Sequence, residues 1–306
     1  LATSDLLEES PPVTNERKMN AATEGLIYGF LGVLAFSFTL PLTRYAAPEL
    51  GGLFIGIGRA ILAATIALIV VLVRQERVPD RKYWLPIMIV ACGTVFGFGP
   101  MSSIAMQSLP AVHGSVVIGL LPAATAVMAV LRAGERPRLM FWISCAVGVV
   151  AVLIFAVAQG AGKPQVGDLW LLAAVTLASL GYAEGARISR DIGGWRVISW
   201  ALVFSIPLLL AIMTVMIARD GLPTGGALDW WAFAYLGAIS MYFGFFPWYR
   251  GLSAGGVAKV GQLQLVQPVL SMIWAALLLH ESVSLGTGLA ALLVIASAAL
   301  TRLTRE

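Results

Sequence analysis

Apolar residues in this chain run almost uninterrupted for about twenty positions at a time, separated by short charged or Pro/Gly-containing breaks. Such runs exceed the roughly 18 residues that mark a bilayer-spanning helix. Ten spans are predicted, at 25–43, 51–73, 83–104, 112–132, 139–158, 168–187, 197–218, 230–249, 257–279 and 284–302. Connections as short as Gln107 to Pro110 make successive helices antiparallel neighbours. The expected fold class is an all-α integral membrane bundle of ten transmembrane helices. Residues 1–24 are polar and carry Pro11-Pro12, so they are expected to remain a disordered cytoplasmic tail.

Composition sharpens this picture. The chain is 59% hydrophobic and 12% charged, against roughly 25% charged in soluble domains, which excludes a water-soluble globule. A net charge of +4 would suggest nucleic acid in a soluble chain. Here the basic residues sit in loops, so no nucleic-acid partner is expected. Fifteen Lys and Arg residues fall on the side of both termini, and three (Arg44, Lys163, Arg219) on the other. By the positive-inside rule both termini are cytoplasmic, in a cell inner membrane. Cys92 and Cys145 lie in apolar runs and read as free thiols. Neither a metal site nor a cofactor is expected. No HExxH or Walker loop occurs, and the two histidines are 167 residues apart, which speaks against an enzyme.

The chain also contains a weak internal repeat. A shift of 146 residues superposes Thr43-Arg44 on Ser189-Arg190, Pro122 on Pro268, Leu131 on Leu277 and Glu135 on Glu281. A shift of 147 superposes Gly97 and Pro100 on Gly244 and Pro247. Five helices per unit is an odd number, so the second copy enters from the opposite face: two inverted five-helix repeats, the arrangement that underlies alternating access.

The segments SLPAVHGSVVIGLLPAATAVMAVLRAGERP (108–137) and SAGGVAKVGQLQLVQPVLSMIWAALLLHESV (253–283) resemble the EamA-type repeat. In that pattern a small-residue helix start leads to a mid-helix Pro and a Gly-Glu-Arg-like turn. The second turn departs from it, reading His280-Glu281-Ser282. Arg59 is similar to the family's second-helix arginine. The resemblance spans two units, 25–158 and 168–303, and implies the drug/metabolite transporter superfamily, most like its aromatic and broader amino-acid exporters. It implies a monomeric multi-pass exporter of amino acids or similar small metabolites. Export of other polar metabolites or drugs such as nucleosides, coupled to protons, and an integral-membrane enzyme are the alternatives.

Several residues bear on the chemistry. Arg59 lies roughly 13 Å into its span; it reads either as counter-charge to a substrate carboxylate or as a structural arginine bound to helix-end carbonyls. No Asp or Glu lies at mid-depth, which favours downhill transport over proton-for-cation exchange. Glu184 is expected to form a surface pair with Arg187. Gln264 and Gln267 share a helical face and Gln262 points elsewhere; they read as cavity lining or as interhelical glue. His113 and Lys259 occupy equivalent repeat positions and either meet substrate or snorkel. Tyr182, Tyr242 and Trp248 lie on helices that line the cavity in relatives and can stack on a substrate. Pro122 and Pro268 are the hinge candidates.

Overall fold

The apolar runs are helical in the structure, a computed structural model that describes residues 20–136 and 165–282, with Leu139, Trp142, Ile143, Ala146, Val147 and Val150 of the stretch between. The expected tail up to Met19, the fifth and tenth spans apart from those six positions, and Cys145 lie outside the described residues. Among the described residues seven helices are long and apolar enough to cross a membrane: α1 (Ala21–Leu50), α2 (Gly52–Val73), α3 (Arg81–Ser108), α4 (Ala111–Arg132), α5 (Val166–Ile192), α6 (Gly194–Asp220) and α8 (Val257–Leu279). Between the last two, α7 (227–255) runs through Ala227–Tyr235, Leu236–Phe243 and Phe245–Gly255. Large apolar side chains such as Leu85, Val215 and Leu277 are exposed on the outside, as lipid-facing positions are.

Contacts at the helix ends sort into two faces. On one, Arg250 pairs with Glu24, Arg196 with Glu76, and Arg190 approaches Glu135. On the other, Arg44 donates to the carbonyls of Met106 and Gln107, and His113 meets Asp168 at 2.6 Å. Helix α1 leaves the first face, whereas α5 leaves the second. The two halves therefore have inverted topology, and α1–α4 correspond to α5–α8.

Backbone detail carries the same symmetry. Gly51 ends α1 and starts α2 with φ 76°, ψ 135°; Gly193 does so between α5 and α6 with φ 86°, ψ 141°. That region is costly for a residue with a Cβ, so glycine allows two spans to meet at one elbow residue. Helix α4 ends on left-handed Gly134, and α8 on left-handed His280, 146 residues later. In α4 a break at Gly119–Leu120 precedes Pro122; in α8 a 3₁₀ turn, Gln262–Leu265, precedes Pro268. The hinge candidates thus stand just after equivalent discontinuities. Widened π-helical segments occupy Ala91–Phe98 in α3 and Leu236–Phe243 in α7.

Close approach also pairs off by symmetry. A Cβ on Gly25 of α1 would lie 2.6 Å from Gly255 Cα of α7, and one on Gly93 of α3 would lie 2.8 Å from Gly181 Cα of α5. Without a hydrophobic driving force inside lipid, such small-residue contacts let backbones pack. The glycines of the first and third spans are packing residues by this measure.

The two repeats are tied by reciprocal carboxylates. Glu135, just beyond α4, accepts from the Val257 and Ala258 amides at 2.6 and 2.8 Å, capping α8. Glu281, just beyond α8, accepts from the Ala111 and Val112 amides at 3.1 and 3.0 Å, capping α4. Each repeat closes a helix N-terminus of the other, one on each face. Charge-assisted bonds at a helix N-terminus satisfy otherwise unpaired amides and complement the helix dipole. Glu135→Gln and Glu281→Gln should each lower stability by about 1 kcal/mol, and the double variant by nearly the sum, since the sites are far apart. Thermal unfolding in detergent checks this. Unchanged midpoints for both single variants would remove the caps from any account of stability.

Candidate functional site

A cavity lies between the repeats, lined by Phe36, Thr39, Arg59, Thr94, Phe98, Tyr182, Ser240, Met241, Phe245 and Gln267, with about 10 Å³ of free space. That is room for about one water molecule. Larger cavities lie toward the two faces. One of about 580 Å³ is bounded by Arg74, Trp195, Phe246 and Arg250, and one of about 330 Å³ by Gly51, Gln107, Arg219 and Asp220. The centre is occluded.

Most of the central lining comes in repeat-related pairs. Phe36 and Tyr182 are 146 positions apart and stack at 6.4 Å with their planes 8° apart, so the pseudo-twofold axis runs between two aromatic rings. Thr94 and Ser240 are likewise 146 apart, and Phe98 and Phe245 147 apart. The π segments supply Thr94, Phe98, Ser240 and Met241. Such segments re-aim side chains within a helix and recur at functional sites. Ser240 and Thr39 share a 2.7 Å hydrogen bond.

Three polar members break the symmetry: Thr39, opposite Gly185 and bonded to Ser240, and two with unpartnered atoms. Arg59 corresponds to Ser205, and Gln267 to Leu121. Arg59 is 1% exposed; its Nη2 makes one long contact to Ser102 Oγ at 3.4 Å, and its Nε has no hydrogen-bond partner. The helix-end carbonyl partners expected of a structural arginine are absent among the described residues. Gln267 is 3% exposed and its Oε1 is unpartnered.

The remaining candidates separate. Trp248 backs the cavity, edge-on to Tyr182 at 5.4 Å and to Phe36 at 6.0 Å. Gln264 lies outside the lining and is bonded by Thr125 across to α4 at 3.2 Å. Gln262, at the start of the 3₁₀ turn, is buried too and lies outside the cavity lining. Tyr242 is buried against α6, hydrogen-bonded to Ser199 at 2.8 Å. His113, paired with Asp168, stands at one face, and Lys259, half-buried, at the other. The structure therefore gathers Arg59, Tyr182 and Gln267, backed by Trp248, and leaves Gln264, Tyr242, His113 and Lys259 apart from them.

One expectation needs correction. Glu184 is not a surface pair: it is 0% exposed and joined to Arg132 at 2.9 Å and Arg187 at 2.5 Å. Arg132 comes from α4, so the pair predicted along one helix is a three-membered link between repeats. Phe36, Thr94, Phe98, Ser240 and Phe245 were missed, although the 146- and 147-residue shifts that align Pro122 and Pro100 with their mates also align these positions.

Inverted four-helix units around an occluded, partly polar cavity define a membrane transporter. The sequence pattern of the EamA-like transporter family matches residues 23–157 and 165–303, and the chain belongs to that family, within the drug/metabolite transporter superfamily. It is 44% identical over 265 residues to YdeK, an uncharacterized transporter of Bacillus subtilis (strain 168), spanning 87% of this chain and 92% of that protein. It is 25% identical over 282 residues to YvbV, an uncharacterized transporter of the same organism, spanning 89% of each. A solved crystal structure with 20% sequence identity superposes with a TM-score of 0.72 over 92% of this chain and 96% of that one, which extends the likeness in fold.

The split between the two amides is testable. Gln267→Leu should weaken substrate binding about tenfold and leave the unfolding midpoint nearly unchanged. Gln264→Leu, which strands the Thr125 hydroxyl, should cost roughly 0.6–1.7 kcal/mol of stability while affinity stays within about twofold of the starting protein. Affinity and melting measurements on both variants decide it, and the reverse pattern would move the cavity to the Gln264 side.

Proposed function

We propose that the protein exports small metabolites, chiefly aromatic and other neutral amino acids, across a cell inner membrane by alternating access and down their own gradient. The observation that carries this reading is the enclosed cavity at the pseudo-twofold axis, flanked by a larger cavity toward each face. A site placed between inverted halves is reached from one face when they rock one way and from the other when they rock back. Aromatic rings of Phe36, Tyr182 and Phe245 suit an apolar or aromatic side chain, and Gln267 and Arg59 suit polar backbone groups. His113 and Lys259 act at the two mouths in this reading, Gln264, Tyr242 and Trp248 support the cavity walls, and Pro122 and Pro268 are the hinges. The basic asymmetry supports cytoplasmic termini in this reading.

Two experiments test it. In liposomes at equal pH on both sides, the purified protein should take up labelled phenylalanine saturably, and unlabelled phenylalanine trapped inside should accelerate uptake. Transport that starts only when a proton gradient or membrane potential is imposed would replace the downhill mechanism with a coupled one. For orientation, Asp220→Cys should react with an impermeant thiol reagent in intact cells and Arg136→Cys should not, in a background lacking Cys92 and Cys145. Reversed labelling would invert the topology.

A further inference from the structure

We propose that Arg59 is the anion-binding group of the central cavity, that the carboxylate of the transported molecule is its counter-ion, and that the transporter accordingly selects organic carboxylates whether or not they carry an amine. This rests on the reading of the cavity as the transport site. An arginine keeps its charge under all physiological conditions, and leaving a guanidinium buried without a partner is strongly destabilising. Among the described residues Arg59 hydrogen-bonds only the Ser102 hydroxyl, at 3.4 Å, and its Nε is unpartnered.

Among the described residues no acid stands ready to neutralise it. Among the described residues the cavity lining contains no carboxylate, and Glu184 is already held by Arg132 and Arg187. In sequence, residues 137–164 contain no Asp or Glu, and 283–306 only Glu306 at the end. The missing negative charge must arrive with the ligand. Planar guanidinium matches carboxylate geometry with two parallel hydrogen bonds, and the idle Nε is one of the donors such a fork uses.

Symmetry supports the assignment independently. The paired lining residues Phe36/Tyr182, Thr94/Ser240 and Phe98/Phe245 are what a duplicated scaffold supplies. A ligand with one charged end has no twofold axis, so the groups that recognise it need no mates. Arg59 and Gln267, opposite Ser205 and Leu121, are polar members of this kind, and both hold an unpartnered buried atom. The same lining offers an ammonium only neutral oxygens and ring faces. The carboxylate is therefore the group that is read, and the amine contributes little.

The test uses two ligand series on the full-length protein: phenylalanine, 3-phenylpropionate, phenylalaninamide and phenethylamine; and leucine, 4-methylpentanoate, leucinamide and isoamylamine. Binding is measured by calorimetry, separately from transport. Within at least one series the two carboxylates should bind within about threefold of each other, and the amide and amine about thirtyfold more weakly or worse. Arg59→Gln should abolish that preference, whereas Arg59→Lys should keep it at reduced affinity. If Arg59→Gln does not fold, the unmodified protein's ranking still decides. Uptake of 3-phenylpropionate should carry one negative charge and be accelerated by valinomycin with potassium. Amides or amines that bind as tightly as the acids, a preference unchanged in folded Arg59→Gln, or no binding by any carboxylate would overturn the proposal. Carboxylate binding without amino-acid transport would leave it standing and remove the amino-acid reading. Amino-acid transport with equal binding of amides would do the opposite.

Discussion

The reciprocal caps of Glu135 and Glu281 are the interaction on which the arrangement of the halves turns. A transmembrane helix must satisfy its backbone groups without water, and α4 and α8 each start at a face where their first amides have no partner within the helix. Each repeat resolves this for the other with one carboxylate spanning two amides. The glutamate of the Gly-Glu turn therefore has a structural reason to exist, and the turn needs a left-handed residue before it, a conformation that His280 adopts at φ 54°. In this conformation the caps join the halves at both faces.

Satisfying the backbone explains the irregular helices too. Proline has no amide hydrogen, and its ring crowds the carbonyl four residues earlier. For Pro100 and Pro247 those carbonyls belong to Phe96 and Phe243, inside the two π segments, where the widened turn makes room. In α1 the interruption at Phe38 is repaired from α8: Ser271 donates to the Ser37 carbonyl at 2.6 Å and Trp274 to the Ser37 hydroxyl at 2.9 Å. Breaks that would be costly against lipid are held within the bundle, where they carry polar groups toward its centre.

Much of this was readable from residues alone. Hydropathy placed eight of the ten spans on observed helices, and the odd-numbered repeat implied the inversion that the helix-end contacts display. Arg59 was singled out by charge and depth, Gln267 as an amide within a span and Tyr182 by the family resemblance, and all three line the central cavity. What stayed hidden depends on long-range geometry. The 3₁₀ turn in α8 has no mark in the residue pattern, and the buried link of Glu184 involves Arg132, 52 residues away. The stacking of Phe36 on Tyr182 needed both repeats folded together, since an ordinary apolar residue in a membrane helix carries no mark of its partner.

A cavity of about 10 Å³ admits no metabolite, so binding requires its walls to move. The walls are not uniform. Aromatic rings of Phe36, Tyr182, Phe245 and Trp248 form one packed cluster across α1, α5 and α7, and a close-packed cluster tends to shift as a unit between discrete arrangements. The π segments are different: their wider turns hold backbone hydrogen bonds that a local change of helical pitch can exchange for others without stranding a group in lipid. Both segments border the cavity, each is followed by a proline (Pro100 and Pro247), and they are related by the axis that relates the halves. Widening on one side thus has an equivalent on the other, which is the geometric requirement for a site that opens alternately to the two faces.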